Sequence, residues 1–170
     1  DGREKKLAGM QLMETPISFF NSPSRRPAET IPYRDDGFIF NAFNLRGRNR
    51  HAQTDYAANG GSDERVEWGA GPESLEIADS GAYDWPDNSD TQTGLMDVRS
   101  TMKLREISDG LSNTYMLGEK YLDPVLYLDG SDWGDDNTMY VGYDWDTIRW
   151  GNANVTPQQD RQSLRNPETF

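Results

Sequence analysis

Cysteine is absent from this chain of 170 residues, which excludes disulfides, thiolate metal sites and thiol nucleophiles together. Histidine occurs once, as His51. A Ser-His-Asp triad or a zinc site would depend on it, yet the flanking Arg48 and Arg50 suit neither. His51 is therefore expected on an exposed loop. No apolar run approaches the roughly twenty residues that cross a bilayer. The longest, such as Phe38-Ile39-Phe40 and Tyr115-Met116-Leu117, are strand-sized, and no secretory leader pattern is present. Basic residues are scarce: seventeen stand against twenty-nine acidic ones, for a net charge of −12. That field repels a phosphate backbone and argues against nucleic acid as a partner, whereas divalent cations and basic surfaces suit it. Solubility alone is the simpler and preferred account of it.

What is present suits one domain over residues 1–170, long enough to bury a core. The core must be lean, because 34% of residues are apolar and sixteen glycines with nine prolines call for extensive loops. Five Trp, eight Tyr and six Phe oppose disorder, so a small aromatic core under long loops is expected. The chain opens at Asp1 and closes at Phe170 in a manner that reads as an excised portion of a longer protein.

Helical spacing of Leu7, Met10, Gln11 and Glu14 predicts an amphipathic helix over Arg3–Glu14, ended by Thr15-Pro16. Ile17-Ser18-Phe19-Phe20 reads as a strand, followed by a proline-punctuated connector over 21–27. Phe38–Phe40 and Ala42–Leu45 read as strands around Asp36-Gly37, with a basic patch at Arg46, Arg48, Arg50 and His51. Gln53–Gly61 has short helical character with a Gly-Gly stop. Residues 62–94 are expected to form a long loop with Trp68, Tyr83 and Trp85 pinned inward. Tyr115–Leu117 is expected as a short buried strand after an Asp-Gly turn. Asn152–Phe170 is polar and reads as extended. No repeat or dividing linker is seen.

Two segments could carry chemistry. Asp129, Asp132, Asp135, Asp136 and Asn137 lie on a Gly-rich loop, where closely spaced carboxylates can converge on one Ca²⁺, though the EF-hand spacing is absent. Solvated turns are the competing reading. Asp144, Asp146 and Arg149 alternate with Tyr143, Trp145 and Trp150. Aromatic faces beside carboxylates make a carbohydrate platform or, with two opposed carboxylates, a hydrolase. A half-buried strand or turn with Arg149 paired to an Asp is the structural reading, and nothing else completes a catalytic set. Gly60-Gly61 and Gly69-Ala70-Gly71 lack the surroundings of a phosphate or dinucleotide loop and read as turns. In Ile107–Lys120, Asp109-Gly110 is expected to make the tight reversal and Ser112, Asn113 and Thr114 to offer caps to the freed amides, with Asp109 and Asn113 bonding the turn backbone in a buried junction. Glu119 is expected to pair with Arg25 or Arg105.

The run I-S-D-G-L-S-N-T-Y-M-L-G-E-K over residues 107–120 resembles the signature of bacterial pilin-like proteins. These carry a prepilin-type N-terminus and a globular domain of unknown function, number 1559. Phe19–Ala28 is similar to that family's aromatic-x-Cys-Pro-Ser-Arg-Arg-Pro element, with Ser22 where a cysteine usually stands. Thr54–Gly61 resembles its D-Y-A-x-N-x-G element, and Gly118–Leu122 through Asp129, Asp135, Asp144 and Trp150 continues the pattern. The family's prepilin helix and its closing His-containing and Asp-Gly strand have no counterpart within residues 1–170. The resemblance implies an α+β, pilin-like head: an N-terminal helix remnant packed on an antiparallel sheet with long loops. It further implies a non-enzymatic subunit of a type IV pilus, type II secretion pseudopilus or envelope assembly. Its partners would be like subunits, it would lie outside the cytoplasm, and membrane contact would come only through the helix not present here. The alternative implied is an extracytoplasmic carbohydrate- or solute-binding module, with Trp133, Trp145, Trp150, Asp144 and Arg149 lining the groove.

Overall fold

Helix α1 (Gly2–Met13) ends where the sequence places its stop. Ahead of Pro16, Thr15 closes the last turn by donating its amide to Leu12 O at 2.9 Å and its hydroxyl to Gln11 O at 2.6 Å. This computed structural model describes residues 2–32, 50–62, 71–85 and 92–161. The strands expected at Phe38–Phe40 and Ala42–Leu45, Arg46 and Arg48 of the basic patch, Trp68, and the tail beyond Arg161 lie outside the described residues. Of the apolar residues on α1, Met13 is buried while Leu7 and Leu12 stay about half exposed. Among the described residues no helix is long and apolar enough to cross a membrane.

The architecture is α+β. β1 (Thr30–Pro32) and β2 (Arg50–Ala52) form an antiparallel ribbon with Ile31 opposite His51. A second sheet has the order β4-β3-β5, built from β3 (Tyr56–Asn59), β4 (Leu117–Glu119) and β5 (Ile148–Arg149). β3 pairs antiparallel with β4, placing Ala57 opposite Gly118, and parallel with β5, placing Ala58 opposite Ile148. A short helix, α2 (Leu75–Asp79), lies where a plain loop was expected. Its start is marked by Ser74, whose Oγ accepts from Ile77 N at 3.2 Å. Tyr83 and Trp85 are half-buried against one another, with Arg99 over the Trp85 ring at 4.6 Å.

Four local expectations are corrected. Ile17–Phe20 is not a strand: Phe20 N bonds Ile17 O at 2.9 Å and Asn21 N bonds Ser18 O at 3.2 Å, giving a 3₁₀ turn. Gln53–Gly61 is not helical, because Tyr56–Asn59 is paired on both edges and tertiary pairing outweighs the helix propensity of Ala57-Ala58. Tyr115–Leu117 is not buried: Tyr115 is 80% exposed, and the edge strand begins only at Leu117. His51 is not on the surface, since the strand period turns Arg50 outward and His51 fully inward.

Two layers meet at the second sheet. Ile148 and Trp150 form the apolar core with Ala58, Met96, Tyr143 and Trp145 around them. The backbone of Gly94 crosses that of Gly60-Gly61 so closely that a Cβ on Gly94 would sit inside it. Gly61 also adopts φ +89°, which favours glycine. Gly60-Gly61 is therefore a crossing as well as a turn.

Candidate functional site

The other face of the sheet rests on charge instead of hydrocarbon. Asp55, immediately before β3, is fully buried and accepts the Ser22 amide at 2.7 Å, fixing the Ser22–Arg26 turn. That turn sends Arg26 inward, where its Nε lies 2.8 Å from Asp55 Oδ1. Its terminal nitrogens bond Asp135 Oδ1 at 3.1 Å and Gln53 Oε1 at 2.7 Å. Lys120 donates to Asp135 Oδ1, to Gly134 O at 3.2 Å and to Asp146 O at 3.1 Å. Arg149 adds a bond to Gly134 O at 2.6 Å.

Burial alone would raise the Asp135 carboxyl, but Lys120 and Arg26 outweigh it and hold that carboxyl below its ordinary value. Burial pulls the Lys120 ammonium down against the pull of Asp135 and Asp146. It likewise carries His51 down to about 4. At the acidic end, burial raises Asp136 to about 7, with Asp144, Asp135 and Asp132 adding to the shift. Burial also raises Asp146 well above the usual range, and Asp144 adds to it against the opposing charge of Lys120.

Arg25, its side chain almost wholly buried, ties the chain together. Its Nε lies 2.8 Å from Asp160, its Nη2 donates to Lys120 O at 2.8 Å, and Glu119 stands 3.8 Å away. The turn before β4 is held by Asn113 Nδ2 donating to Asp109 O at 2.9 Å and by Thr114 Oγ1 donating to Gly110 O at 3.2 Å. Gly110 has φ +84°. Asp109, Gly110, Ser112 and Asn113 are exposed and Thr114 half-buried, so the buried junction expected there is corrected to a surface turn.

The acidic loop does not gather its side chains. Asp129 accepts from Ser131 N at 3.0 Å, and Asp132 accepts from Gly134 N and Asp123 N, both at 3.1 Å. Asp135 faces the buried cations, and Asn137 gives its amide to Asp146 at 2.8 Å. Asp129 and Asp132 thus close their own turns and Asp135 answers cations, while Asp136 accepts from the Asn137 side chain at 3.5 Å. Among the described residues no group of three or more His, Asp or Glu side chains is placed to hold a metal ion. The aromatic set is split between core and surface. Trp133 is 73% exposed, Trp145 is half-buried and Trp150 is buried in the core. Asp144 is buried beside Asp146, whose amide it accepts at 3.1 Å, and Arg149 is fully buried among the charges. Of the five, Arg149, Asp144 and Trp150 are thus buried, and Trp133 is the one open to solvent.

A groove does exist, on the sheet's other face. Strand alternation puts Tyr56 and Ala58 of β3 and Leu117 and Glu119 of β4 on the same side, opposite to Asp55, Ala57 and Lys120. They floor an open groove of about 690 Å³. Ile17, Phe19 and Phe20 wall one part of it, and Met139, Tyr140 and Thr147 complete the lining. Phe19 is 83% exposed and Leu117 about half exposed. Sequence reasoning missed this surface because Ile17–Phe20 and Tyr115–Leu117 were both read as strands. Their apolar density was the signal, and such density marks core and contact surface alike.

Comparison with protein families places residues 2–169 in a bacterial family described as "Protein of unknown function (DUF1559)" and labelled SBP_bac_10, and the chain belongs to it. No curated protein and no solved structure matches the chain.

Proposed function

We propose that this chain is the globular head of a pilin-like or pseudopilin-like subunit: a non-enzymatic module that works outside the cytoplasm in an envelope or secretion assembly. The observation that carries the reading is the open apolar groove. A sheet face bearing Tyr56, Ala58 and Leu117, walled by Phe19 and Phe20, is unstable in water unless something covers it. Its position supports assembly, because most of its lining comes from the three elements that resemble the pilin-like pattern, Phe19–Ala28, Thr54–Gly61 and Ile107–Lys120. The interior beneath it is internally paired through Arg26, Asp55, Lys120 and Asp135, giving a rigid platform for contact. The partners are like subunits or related pilin-like proteins.

The test is to express the intact protein in its native bacterium and to compare it with a Phe19→Asp form. The expected result is an envelope-associated, oligomeric wild type seen by fractionation and electron microscopy, with Phe19→Asp dispersed. Wild-type protein recovered only as dispersed monomer would overturn the reading. The size of the groove favours a second one, a solute-binding module, since small-molecule sites occupy about 300–1,000 Å³. In that case a carbohydrate or solute panel would raise the melting temperature of wild type and not of Phe19→Asp.

A further inference from the structure

We propose that the outer edge of β4 is a strand-addition site. It takes an extended segment of another protein chain, apolar at alternate residues and basic at the residue facing Glu119, which lengthens the β4-β3-β5 sheet and roofs the groove. The inference rests on the groove being a binding surface, and not on which assembly it serves.

The backbone decides the shape of the occupant. Asn59 N bonds Met116 O at 3.1 Å and Lys120 N bonds Asp55 O at 2.8 Å. In an antiparallel pair the bonding residues alternate, so Met116, Gly118 and Lys120 turn their backbone groups toward β3. Leu117 and Glu119 therefore turn theirs away. Among the described residues no strand lies beyond β4, and no hydrogen bond is made by these two amides or these two carbonyls. Two donors and two acceptors at strand spacing are answered by an extended backbone. A helix, whose amides and carbonyls are already paired, cannot answer them.

Proteins ordinarily blunt such an edge with proline, lysine or a bulge. Here Leu117-Gly118-Glu119 carries no proline, lysine or bulge, and the groove lies directly alongside. Alternate side chains of an added strand would enter that groove beside Leu117 and Phe20.

Charge selects among extended occupants. The chain carries −12, so a second copy would bring like charge to the interface. The Glu119 side chain is 53% exposed at the same edge, which favours a basic residue opposite it. At this edge the occupant is thus a basic, apolar strand of a related subunit and not of a second copy of this chain.

The probe is a synthetic, terminally blocked eight-residue peptide alternating valine with threonine and carrying one central lysine. Amide exchange followed by NMR on the 170-residue chain reads the outcome. In free protein the Leu117 and Glu119 amides should exchange fast, and peptide saturation should slow both at least tenfold. Leu117→Pro removes an amide that bonds nothing among the described residues, so it should keep the fold and weaken binding at least tenfold. Leu117→Ala keeps that amide and separates the side-chain contribution. Glu119→Lys should weaken binding of the same peptide. The proposal is overturned by slow exchange of both amides in free protein, by their protection through dimerisation without peptide, or by peptide binding that leaves them fast. Should Leu117→Pro fail to fold, the wild-type exchange data decide alone. Loss of assembly in Phe19→Asp with no slowing at β4 would sink this edge site and leave the assembly reading standing.

Discussion

Lys120 and Arg149 donate to one and the same carbonyl oxygen, that of Gly134, at 3.2 and 2.6 Å. Both side chains are buried, and two adjacent cations in a dry interior repel each other unless carboxylates answer them. Asp135 supplies the answer for Lys120 and also for Arg26, which makes it the hub of the charged layer. Asp135→Asn would leave Arg26 and Lys120 buried with one carboxylate fewer. Removing one partner of a buried ionic set typically costs about 3–5 kcal/mol. The expected result is a large fall in the urea midpoint at unchanged slope, and a midpoint within error of wild type would refute the hub role.

The glycine crossing makes a sharper claim about backbone. A Cβ at Gly94 meets the main chain of Gly60 and Gly61, which cannot swing aside as a side chain can. At Gly60 the Cβ meets the Trp150 ring and Ile148, which are packed in the core. Overpacking of this kind costs about 1–3 kcal/mol and sometimes more. Gly94→Ala should therefore destabilise at least as much as Gly60→Ala, whereas Gly142→Ala, with open space around it, should show only the strain of its φ of +94°. Thermal melts of the three variants check the order.

Legibility in the sequence followed the range of the forces. The stop of α1 at Thr15-Pro16 and the bonding of Asn113 to the Asp109 backbone depend on local chemistry, each closing within four residues. The charged layer does not. Arg26 and Asp135 are 109 residues apart in sequence yet share two hydrogen bonds, and no periodicity marks them. A buried Lys120 or Arg149 looks identical in sequence to a solvated one. The same blindness explains His51, read as exposed because arginines flank it. Ala57-Ala58 misled for a different reason: a strand paired on both edges needs small residues over a crowded interior, and alanine also favours helices.

Two groups give opposite pH dependences. Asp136 keeps its proton in the fold up to about 7, while in the unfolded chain it loses it near 3.8. Its contribution is fully present below pH 4 and is lost as pH rises to 7, so Asp136→Asn should gain on wild type across that window. Linkage caps the gain at about 1.4 kcal/mol per pH unit, and partial solvent contact keeps it below that. His51 runs the other way, held neutral down to about 4 against 6.5 when unfolded. Its contribution is present above pH 6.5 and lost as pH falls to 4, so His51→Gln should flatten that loss. Urea midpoints from pH 4 to 8 for both variants test the signs, and parallel curves for all three proteins would refute them.

Asp160 fastens the segment after β5 to the rest of the chain. It accepts the Leu122 amide at 2.9 Å, lies 2.8 Å from Arg25 Nε, and accepts the Tyr127 hydroxyl. Burial together with that last bond and the nearby charge pushes the Tyr127 phenol up to about 12 from an ordinary 10. In Asp160→Ala the bond and the charge disappear while the burial from neighbouring atoms stays. Tyr127 should then ionise at lower pH than in wild type, between those two values, as followed by phenolate absorbance against a Tyr127→Phe control. The same substitution leaves Arg25 with its more distant acids, Asp55 and Glu119, both at 3.8 Å. A stability loss of about 1–3 kcal/mol is expected from the lost bonds. An unchanged phenolate titration would mean that Asp160 does not hold this hydroxyl in solution.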